Sequence, residues 1–182
     1  MLRIGCTGRI PKVSKVVHPV ILETRQQHWP DEAACDATAR ALARHPALRL
    51  ACIELHGPLG AGKTTFARHL LRALGVTGRI KSPSYAIVEP HEVPAADGAA
   101  PLDIWHFDFY RFGDPREWED AGFRDLFASP GLKLVEWPEK AAGLLPVPDL
   151  SLTLQPLDDD GRTVQWQACT PRGALLLNET LP

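Results

Sequence analysis

Residues 57–64, GPLGAGKT, constrain the fold more than any other part of the chain. They match the pattern G-x-x-x-x-G-K-[ST] at every fixed position. The residues before them, 48–56, are almost continuously apolar, as expected of a strand buried on both faces. The residues after them, 63–74, have the apolar spacing of an amphipathic helix. A buried strand, a glycine-rich turn and a helix in this order predict a phosphate-binding loop in an α/β domain.

This loop has the chemistry needed to hold phosphate groups. Its glycines allow backbone conformations that point N–H groups at phosphate oxygens, and the start of the helix adds further unpaired N–H groups. Lys63 is expected to bridge the β- and γ-phosphates, and the Thr64 hydroxyl is expected to bind Mg²⁺. The residues of this segment predicted to bind the nucleotide are Gly60, Ala61, Gly62, Lys63, Thr64 and Thr65.

Two acidic residues end predicted strands and are candidates for holding the metal ion or its water. Asp108 ends the strand-like run 104–108, and Glu136 ends the run 132–136. In a parallel sheet both strand ends lie at the edge where the phosphate loop sits. An acid at the end of a strand can equally be a cap or a surface charge. The residue types alone leave both interpretations open for each carboxylate.

Three further features lie near these candidates in sequence. Residues 81–85, KSPSY, form either a loop that offers the Ser82 and Ser84 hydroxyls to the γ-phosphate or Mg²⁺, or an ordinary Ser-Pro turn. Trp137 directly follows Glu136 and is a candidate to lie near the nucleotide. His106 is expected to point away from Asp108 and to pack as a core or edge histidine rather than act as a base.

The rest of the chain predicts a series of short elements. With 17 prolines in 182 residues, long helices are interrupted, which excludes a coiled coil or a helical repeat. A helix is expected to begin after Asp31 as its N-cap and to end before Pro46. The other expected elements are strands at 16–24, 85–89, 102–110 and 132–137, one or two short helices within 115–127, and a loop or hairpin tip at 91–101.

Two alternating runs near the C-terminus predict a β-hairpin. Apolar residues occupy every second position in 150–154 and in 164–168, and the sequence DDDG at 158–161 is a good turn between them. The predicted fold is therefore an α/β P-loop NTPase with a mostly parallel central sheet, flanking helices and an antiparallel C-terminal hairpin. Residues 16–182 are expected to form one domain, preceded by a disordered leader at 1–15.

The charges divide the chain into a basic start and an acidic remainder. Residues 1–20 hold four cations and no acid, whereas the whole chain has 20 Lys and Arg against 22 Asp and Glu. Without that segment 16 cations face 22 acids, a net charge of −6. Such a body is a poor nucleic-acid binder on its own.

Cysteine usage and hydropathy indicate a protein of the cytoplasm. No two of the four cysteines form a Cys-x-x-Cys pair, so neither a thiol metal site nor a redox motif is expected; they are Cys6, Cys35, Cys52 and Cys169. Free cysteines that behave as small buried hydrophobes are typical of a reducing compartment. No apolar run reaches the roughly 18 residues that a membrane-spanning helix needs.

Four blocks in order carry a resemblance to a known family. They are GAGKTT at 60–65, KSPSY at 81–85, HFDFYR at 106–111 and LVEWP at 134–138. Together they resemble the bacterial tRNA threonylcarbamoyladenosine biosynthesis ATPases, the TsaE (YjeE) family. Each block apart from the phosphate loop is weak alone, but all of them in this order are specific over about 80 residues, from 57 to 138.

The resemblance implies a P-loop fold that binds ATP or ADP with Mg²⁺. It implies that Thr64 and Glu136 hold the metal and that Asp108 is needed for hydrolysis. It also implies partners, a threonylcarbamoyl transferase complex of TsaD and TsaB type, which ATP hydrolysis resets between turnovers. The tRNA would then be reached only through these partners. The catalytic residues predicted on this basis are Lys63, Asp108 and Glu136.

Two other functions remain open at this point. A small-molecule kinase on the same fold would need a second substrate pocket and usually a lid that carries arginines. Arg111, Arg116 and Arg124 are scattered rather than clustered in sequence, which disfavours this reading. A non-enzymatic adaptor would use nucleotide binding alone to switch a partner interface.

Overall fold

A computed structural model describes residues 19–95 and 100–181 of the protein. These residues form a mixed β-sheet with helices on both faces. The described strands are β1 (Glu23–Trp29), β2 (Cys52–His56), β3 (Val88–Val93), β4 (Leu102–Asp108), β5 (Leu132–Glu136), β6 (Leu150–Pro156) and β7 (Arg162–Ala168). The described α-helices are α1 (Glu32–Ala43), α2 (Lys63–Ala73), α3 (Pro115–Asp120), α4 (Phe123–Ala128) and α5 (Pro171–Thr180).

The strand order is β1-β7-β6-β2-β5-β4-β3. The four central strands, β6, β2, β5 and β4, run parallel, and their carboxyl ends therefore meet at one edge of the sheet. The pairs β1–β7, β6–β7 and β3–β4 are antiparallel. The predicted fold class is confirmed, including the C-terminal hairpin, and a second antiparallel edge at β3 is added to it.

Two buried clusters cover the two faces of the sheet. The larger one joins aliphatic residues of β2, β5 and β6 to α1, α2 and α5. The smaller one is mainly aromatic and joins β4 and β5 to α3 and α4. Because side chains alternate along a strand, Leu134 of β5 lies in the first cluster and Val135 lies in the second. The apolar run of β5 thus follows from burial on both faces.

Helices α1 to α4 were predicted from the sequence, α1 from its cap and α2 from its periodicity. The Asp31 side chain accepts a hydrogen bond from the Ala34 N–H at 2.9 Å and begins α1, as expected. Helix α2 begins at Lys63 and ends at Ala73, and Gly75 follows it with a φ of 102°. The two short helices expected within 115–127 are α3 and α4.

The predicted first strand, 16–24, is wrong in position. Residues 16–18 lie outside the described residues, as does the whole predicted leader, and Val20, Ile21 and Leu22 are exposed. Strand β1 begins at Glu23 and pairs with β7 although most of its residues are polar. It is an edge strand with little burial, so pairing to β7 rather than local apolarity decides where it lies.

Two other strand boundaries are corrected. Residues Pro46–Leu50 form a short 3₁₀-helix, so β2 begins at Cys52 rather than at residue 48. There the Asp149 carboxylate accepts the Cys52 N–H at 2.9 Å. The strand predicted at 85–89 lies at Val88–Val93, because Ile87 closes a turn by donating its N–H to the Pro83 carbonyl. The expected loop at 91–101 is therefore shorter, and its residues 96–99 lie outside the described part.

Helix α5 has no counterpart in the sequence-based prediction. The Thr170 hydroxyl caps it by accepting the Gly173 N–H at 3.2 Å, and Leu176 and Leu177 are buried against the sheet. A Cβ at position 173 would lie 1.9 Å from the Asp149 carbonyl oxygen, so this close approach requires glycine. Within the described residues no helix combines the length and the apolar character that crossing a membrane would require.

Candidate functional site

The phosphate loop joins the end of β2 to the start of α2. Gly57, Gly60 and Gly62 have φ values of 133°, 80° and 105°, in the region that side chains other than glycine disfavour. A Cβ on Gly57 would also lie 2.4 Å from the Leu154 carbonyl oxygen of β6. All three glycines are therefore needed for the turn of the backbone, and Gly57 also for its close packing on the neighbouring strand.

Lys63 is buried at the first position of α2. Its Nζ donates to the carbonyl oxygens of Gly57 at 2.6 Å and Pro58 at 2.9 Å, and it lies 3.9 Å from the centre of the Trp137 ring. Burial lowers the pKa of the Lys63 ammonium, and the nearby carboxylates of Glu136, Glu139 and Asp108 oppose that shift. A desolvated cation in this position is suited to bind an anion.

Glu136 is buried at the end of β5 and is held by two groups. Its Oε2 accepts a hydrogen bond from the Thr64 hydroxyl at 2.8 Å. Its Oε1 lies 2.9 Å from Nε2 of His106. The Glu136 side chain is 2% exposed, so its carboxylate is enclosed by protein rather than by solvent. This carboxylate links the phosphate loop to the neighbouring strand β4.

Asp108 lies beside Glu136 in the parallel register of β4 and β5. Its Oδ2 accepts a hydrogen bond from the Ser82 hydroxyl, and its Oδ1 accepts the Tyr110 N–H at 2.9 Å. The side chain is buried, and neither partner belongs to the phosphate loop. Asp108 is therefore held by the Ser-Pro segment and by its own backbone.

All of the sequence-predicted site residues line one cavity of about 350 Å³. They are Gly60, Ala61, Gly62, Lys63, Thr64, Thr65, Ser82, Ser84, Asp108, Glu136 and Trp137. We call this the phosphate cavity. Leu59, Tyr110 and Arg111 also line it and were not predicted. The alignment of parallel strand ends brings the carboxylates to the loop, whereas the individual roles of these residues stay predictions.

His106 is buried as expected, but its predicted direction is wrong. Residues two apart on a strand share a face, so His106 and Asp108 point to the same side of β4. The His106 ring contacts Glu136, and its Nδ1 is buried without a hydrogen-bond partner among the described residues. It is therefore part of the site, a position that correct strand alternation would have indicated from the sequence.

The two remaining predicted features lie at the mouth of the phosphate cavity. Trp137 has a left-handed backbone, with a φ of 57°, and its ring packs on Tyr110 at 5.0 Å between centroids. Tyr85, in the Ser-Pro segment, is 84% exposed, and the Arg111 guanidinium lies 4.2 Å from its ring. An unusual backbone at a residue beside a buried carboxylate is a common mark of a functional site.

A second cavity, of about 250 Å³, lies on the other side of the loop. We call it the adjoining cavity; it shares Ala61, Gly62 and Thr65 with the phosphate cavity. Its other lining residues are Trp29, Asp31, Glu32, Cys35, Leu154, Asp160 and Arg162. The sequence held no signal for it, because these residues come from β1, the start of α1, β6, the hairpin turn and β7, which only the tertiary fold brings together.

Two residues of the adjoining cavity show how it is built. Nε of Arg162 donates to the Ala61 carbonyl at 2.9 Å, which ties the C-terminal hairpin to the phosphate loop. Burial, followed by the charges of Glu32 and Asp36, raises the pKa of the Cys35 thiol to about 12. Cys35 thus stays a neutral thiol at physiological pH and acts there as a small apolar group.

The donor atoms at Glu136 fit a magnesium ion. Carboxylate and hydroxyl oxygens are the hard ligands that Mg²⁺ prefers, and the Thr64 hydroxyl already lies 2.8 Å from Oε2 of Glu136. No group of three His, Cys, Asp or Glu residues able to hold a metal occurs in the described part of the chain. A site of this kind would take its remaining ligands from phosphate oxygens and water, as is usual for Mg²⁺ with nucleotides.

The family model described as "Threonylcarbamoyl adenosine biosynthesis protein TsaE" matches residues 29–164, a span that contains the loop, both carboxylates and most of the sheet. This chain belongs to the TsaE family. The resemblance inferred from the four sequence blocks is confirmed by that match.

Individual members of the TsaE family show how far the likeness extends. The chain is 35% identical over 161 residues to tRNA threonylcarbamoyladenosine biosynthesis protein TsaE of Haemophilus influenzae, covering 86% of this chain and 98% of the relative. It is 35% identical over 127 residues to the protein of the same name from Bacillus subtilis, covering 70% and 75%. The crystal structure of Bacillus subtilis YdiB is similar with a TM-score of 0.66 at 26% identity, covering 87% of this chain and 94% of that one.

Proposed function

We propose that this chain is a Mg²⁺-dependent ATPase that supports threonylcarbamoyladenosine modification of tRNA. The observation that carries the proposal is the convergence of Lys63, Thr64, Asp108 and Glu136 on one cavity beside the phosphate loop. Phosphoryl transfer depends on positioning and charge neutralisation, and these four side chains supply both. Membership of the TsaE family, whose relatives are named for this tRNA modification, supports the biological part of the proposal.

The two cavities together are suited to one nucleotide. The loop N–H groups and Lys63 would bind the phosphates, since they line the phosphate cavity. The base would enter the adjoining cavity, whose walls include Trp29, Cys35 and Leu154. Because both cavities share residues of the loop, a nucleotide can span them with its phosphates beside Lys63 in the phosphate cavity.

The buried carboxylates would then take different parts in hydrolysis. Thr64 and Glu136 would hold Mg²⁺, which when bound neutralises charge on the phosphate oxygens. The fixed Asp108 carboxylate would orient the attacking water and accept its proton. The water oxygen forms the new bond to the γ-phosphorus as the bond to the β–γ bridging oxygen breaks, which yields ADP and inorganic phosphate.

We further propose that the chain acts on a transferase complex of TsaD and TsaB type and reaches tRNA only through it. Leu59, which lines the phosphate cavity, and Tyr85, whose ring packs on Arg111 of that cavity, are 76% and 84% exposed and offer apolar contacts to a partner protein. The net charge of −6 outside residues 1–20 disfavours direct RNA binding. Partner binding at the cleft would link hydrolysis to resetting of the complex, in the cytoplasm where tRNA is modified.

The kinase alternative has less support in the arrangement of arginines. Arg111 lies at the phosphate cavity, but Arg116 is exposed and paired with Asp114, and Arg124 lines a separate groove with Trp118. A lid that closes over two substrates would need several such cations at the cleft. These three side chains do not assemble one within the described residues.

Phosphate release by the full chain, alone and with its partner proteins, tests the proposal. We expect slow release alone, stimulation by the partners, and loss of both in the Glu136→Ala variant. Nucleotide binding without hydrolysis, even with partners present, would instead support the adaptor function. Phosphate transferred to a small acceptor rather than to water would support the kinase. Either of these results would overturn the proposed ATPase.

A further inference from the structure

His106 is a buried histidine that bonds to a site residue through only one of its ring nitrogens. The side chain has no exposed surface, and Nε2 lies 2.9 Å from Oε1 of Glu136. Nδ1 has no hydrogen-bond partner among the described residues. The only other buried side-chain nitrogen of this kind in the described part belongs to His91 on the neighbouring strand β3.

The hydrogen bonds around Glu136 define which His106 nitrogen carries the proton. An ionised carboxylate only accepts hydrogen bonds, and its Oε2 already accepts one from the Thr64 hydroxyl. The Nε2 of His106 must therefore donate to Oε1. In the neutral ring Nδ1 is then an acceptor, and this acceptor is the atom left unpaired.

An unpaired buried acceptor makes histidine a poor choice for packing alone. A buried polar atom without a partner destabilises the folded state relative to an apolar group of similar shape. Ile104, two positions earlier on the same face of β4, is fully buried in the larger, aliphatic cluster, so an apolar side chain is readily accommodated on this face. The benefit of histidine at this position therefore lies in its N–H bond to Glu136.

We propose that His106 is a positioning residue for Glu136. By holding Oε1, it keeps Oε2 directed at the Thr64 hydroxyl and thus at the place where the metal would be held. This inference rests on the proposed function, because it gives His106 a role only if Glu136 binds Mg²⁺. Groups that orient a ligand through its second atom typically change metal affinity by about 10- to 100-fold when removed.

Three substitutions separate this role from a structural one. His106→Gln retains an N–H near the place of Nε2, whereas the shorter His106→Asn places its amide near Nδ1 and cannot reach Oε1. His106→Phe removes both nitrogens and keeps a ring. His91→Phe is a comparison variant, since His91 on the adjacent strand β3 also has an unpaired buried nitrogen and interacts electrostatically with His106, but makes no hydrogen bond to Glu136.

The measurements are ADP affinity by calorimetry in EDTA and in Mg²⁺, the Mg²⁺ concentration that gives half-maximal ATP hydrolysis, and Tm. For His106→Phe and His106→Asn we expect about a tenfold higher Mg²⁺ requirement, with ADP affinity in EDTA unchanged. His106→Gln should restore the wild-type Mg²⁺ requirement. The Tm of His106→Phe should equal or exceed that of the wild type, and His91→Phe should leave the Mg²⁺ requirement unchanged.

The outcomes distinguish failure of this inference from failure of the proposed function. If the wild type shows no Mg²⁺-dependent nucleotide binding or hydrolysis, the proposed function is wrong and the role of His106 falls with it. If the wild type depends on Mg²⁺ but His106→Phe and His106→Asn reach half-maximal hydrolysis at the wild-type Mg²⁺ concentration, only the positioning role is wrong. An equal loss of ADP affinity in EDTA and in Mg²⁺, with a lower Tm, would show that His106 is structural. Should His106→Phe not fold, the Mg²⁺ requirement of His106→Asn compared with that of His106→Gln decides between the positioning role and the structural role.

Discussion

The two cavities beside the phosphate loop share part of their walls but differ in the chemistry of the rest. The phosphate cavity receives Asp108 and Glu136 from the carboxyl ends of two parallel strands. The adjoining cavity receives Trp29 and Leu154 from other strands, together with the charged residues Asp31, Glu32, Asp160 and Arg162. One side of the loop thus carries two buried, hydrogen-bonded carboxylates, and the other combines apolar packing surface with charged residues from the start of α1 and from the hairpin.

Because of this difference, we expect one side of the loop to govern ATP hydrolysis and the other to govern the affinity for the nucleotide. Lys63, the Thr64–Glu136 pair proposed to hold a metal, and Asp108, proposed to orient water, line the phosphate cavity and not the adjoining one. A nucleotide base in the adjoining cavity would gain apolar contacts that are the same in the ground state and the transition state, and such contacts alter KM but not kcat. Substitutions on the two sides are therefore expected to give different kinetic signatures.

The largest effect is expected for Lys63→Met. Loss of the cation that faces the phosphates should lower kcat/KM for ATP on the order of 10³-fold and remove the rise in Tm that ADP causes. The nucleotide-free variant should stay folded, since relief of the buried charge offsets the lost bonds to Gly57 and Pro58. Phosphate release measures the change in kcat/KM, and thermal melts with and without ADP measure the change in Tm. Normal hydrolysis by Lys63→Met would show that the phosphate cavity is misassigned.

The next largest effect is expected for Glu136→Ala. Mg²⁺-dependent hydrolysis should fall several hundredfold, while ADP binding in EDTA is partly retained, because the phosphates keep the loop and Lys63. Glu136→Gln is the control, since it removes the charge but keeps acceptor and donor atoms near Thr64 and His106. An unchanged rate and Mg²⁺ dependence in both variants would contradict the metal-binding role.

Asp108→Asn should lower kcat by about 10²-fold and leave the KM for ATP and the Mg²⁺ requirement near their wild-type values. The reason is that Asp108 bonds to Ser82 and the Tyr110 N–H, not to the loop. Steady-state kinetics at several Mg²⁺ concentrations distinguish this effect of Asp108→Asn from the effect expected for Glu136→Ala. If both variants lost Mg²⁺ dependence equally, the two carboxylates would form one metal site, and the division between them would be wrong.

The smallest effect is expected on the other side of the loop, for Arg162→Met. Loss of its bond to the Ala61 carbonyl should raise the KM for ATP about fivefold with kcat unchanged, since one hydrogen bond contributes about 1 kcal/mol. Tm should fall by about 2–4 °C. Arg172→Met is the control, because Arg172 also binds a carbonyl, that of Leu50, but lines neither cavity. A fall in kcat for Arg162→Met would break the distinction between the cavities.

Much of the phosphate cavity was predictable because its signals are local. The loop motif has a fixed spacing, α1 has Asp31 as a cap, and Glu136 ends an apolar run. The predictions that failed had different causes. The polar strand β1 exists because β7 pairs with it, and the Pro46–Leu50 segment is a 3₁₀-helix where apolarity alone predicted a strand. His106 was misplaced by its assumed direction, not by a missing signal.

By itself, the sequence determined the chemistry of the loop, because glycine conformations, a helix start and Lys63 act over a few neighbouring residues. Only the tertiary structure decided that Thr64 meets Glu136, 72 positions away, and that Glu136 meets His106. Parallel pairing aligns the ends of β2, β5 and β4, so the contact depends on strand order, which no local pattern contains. The adjoining cavity was decided in the same way, by packing of β1, α1 and the C-terminal hairpin against one loop.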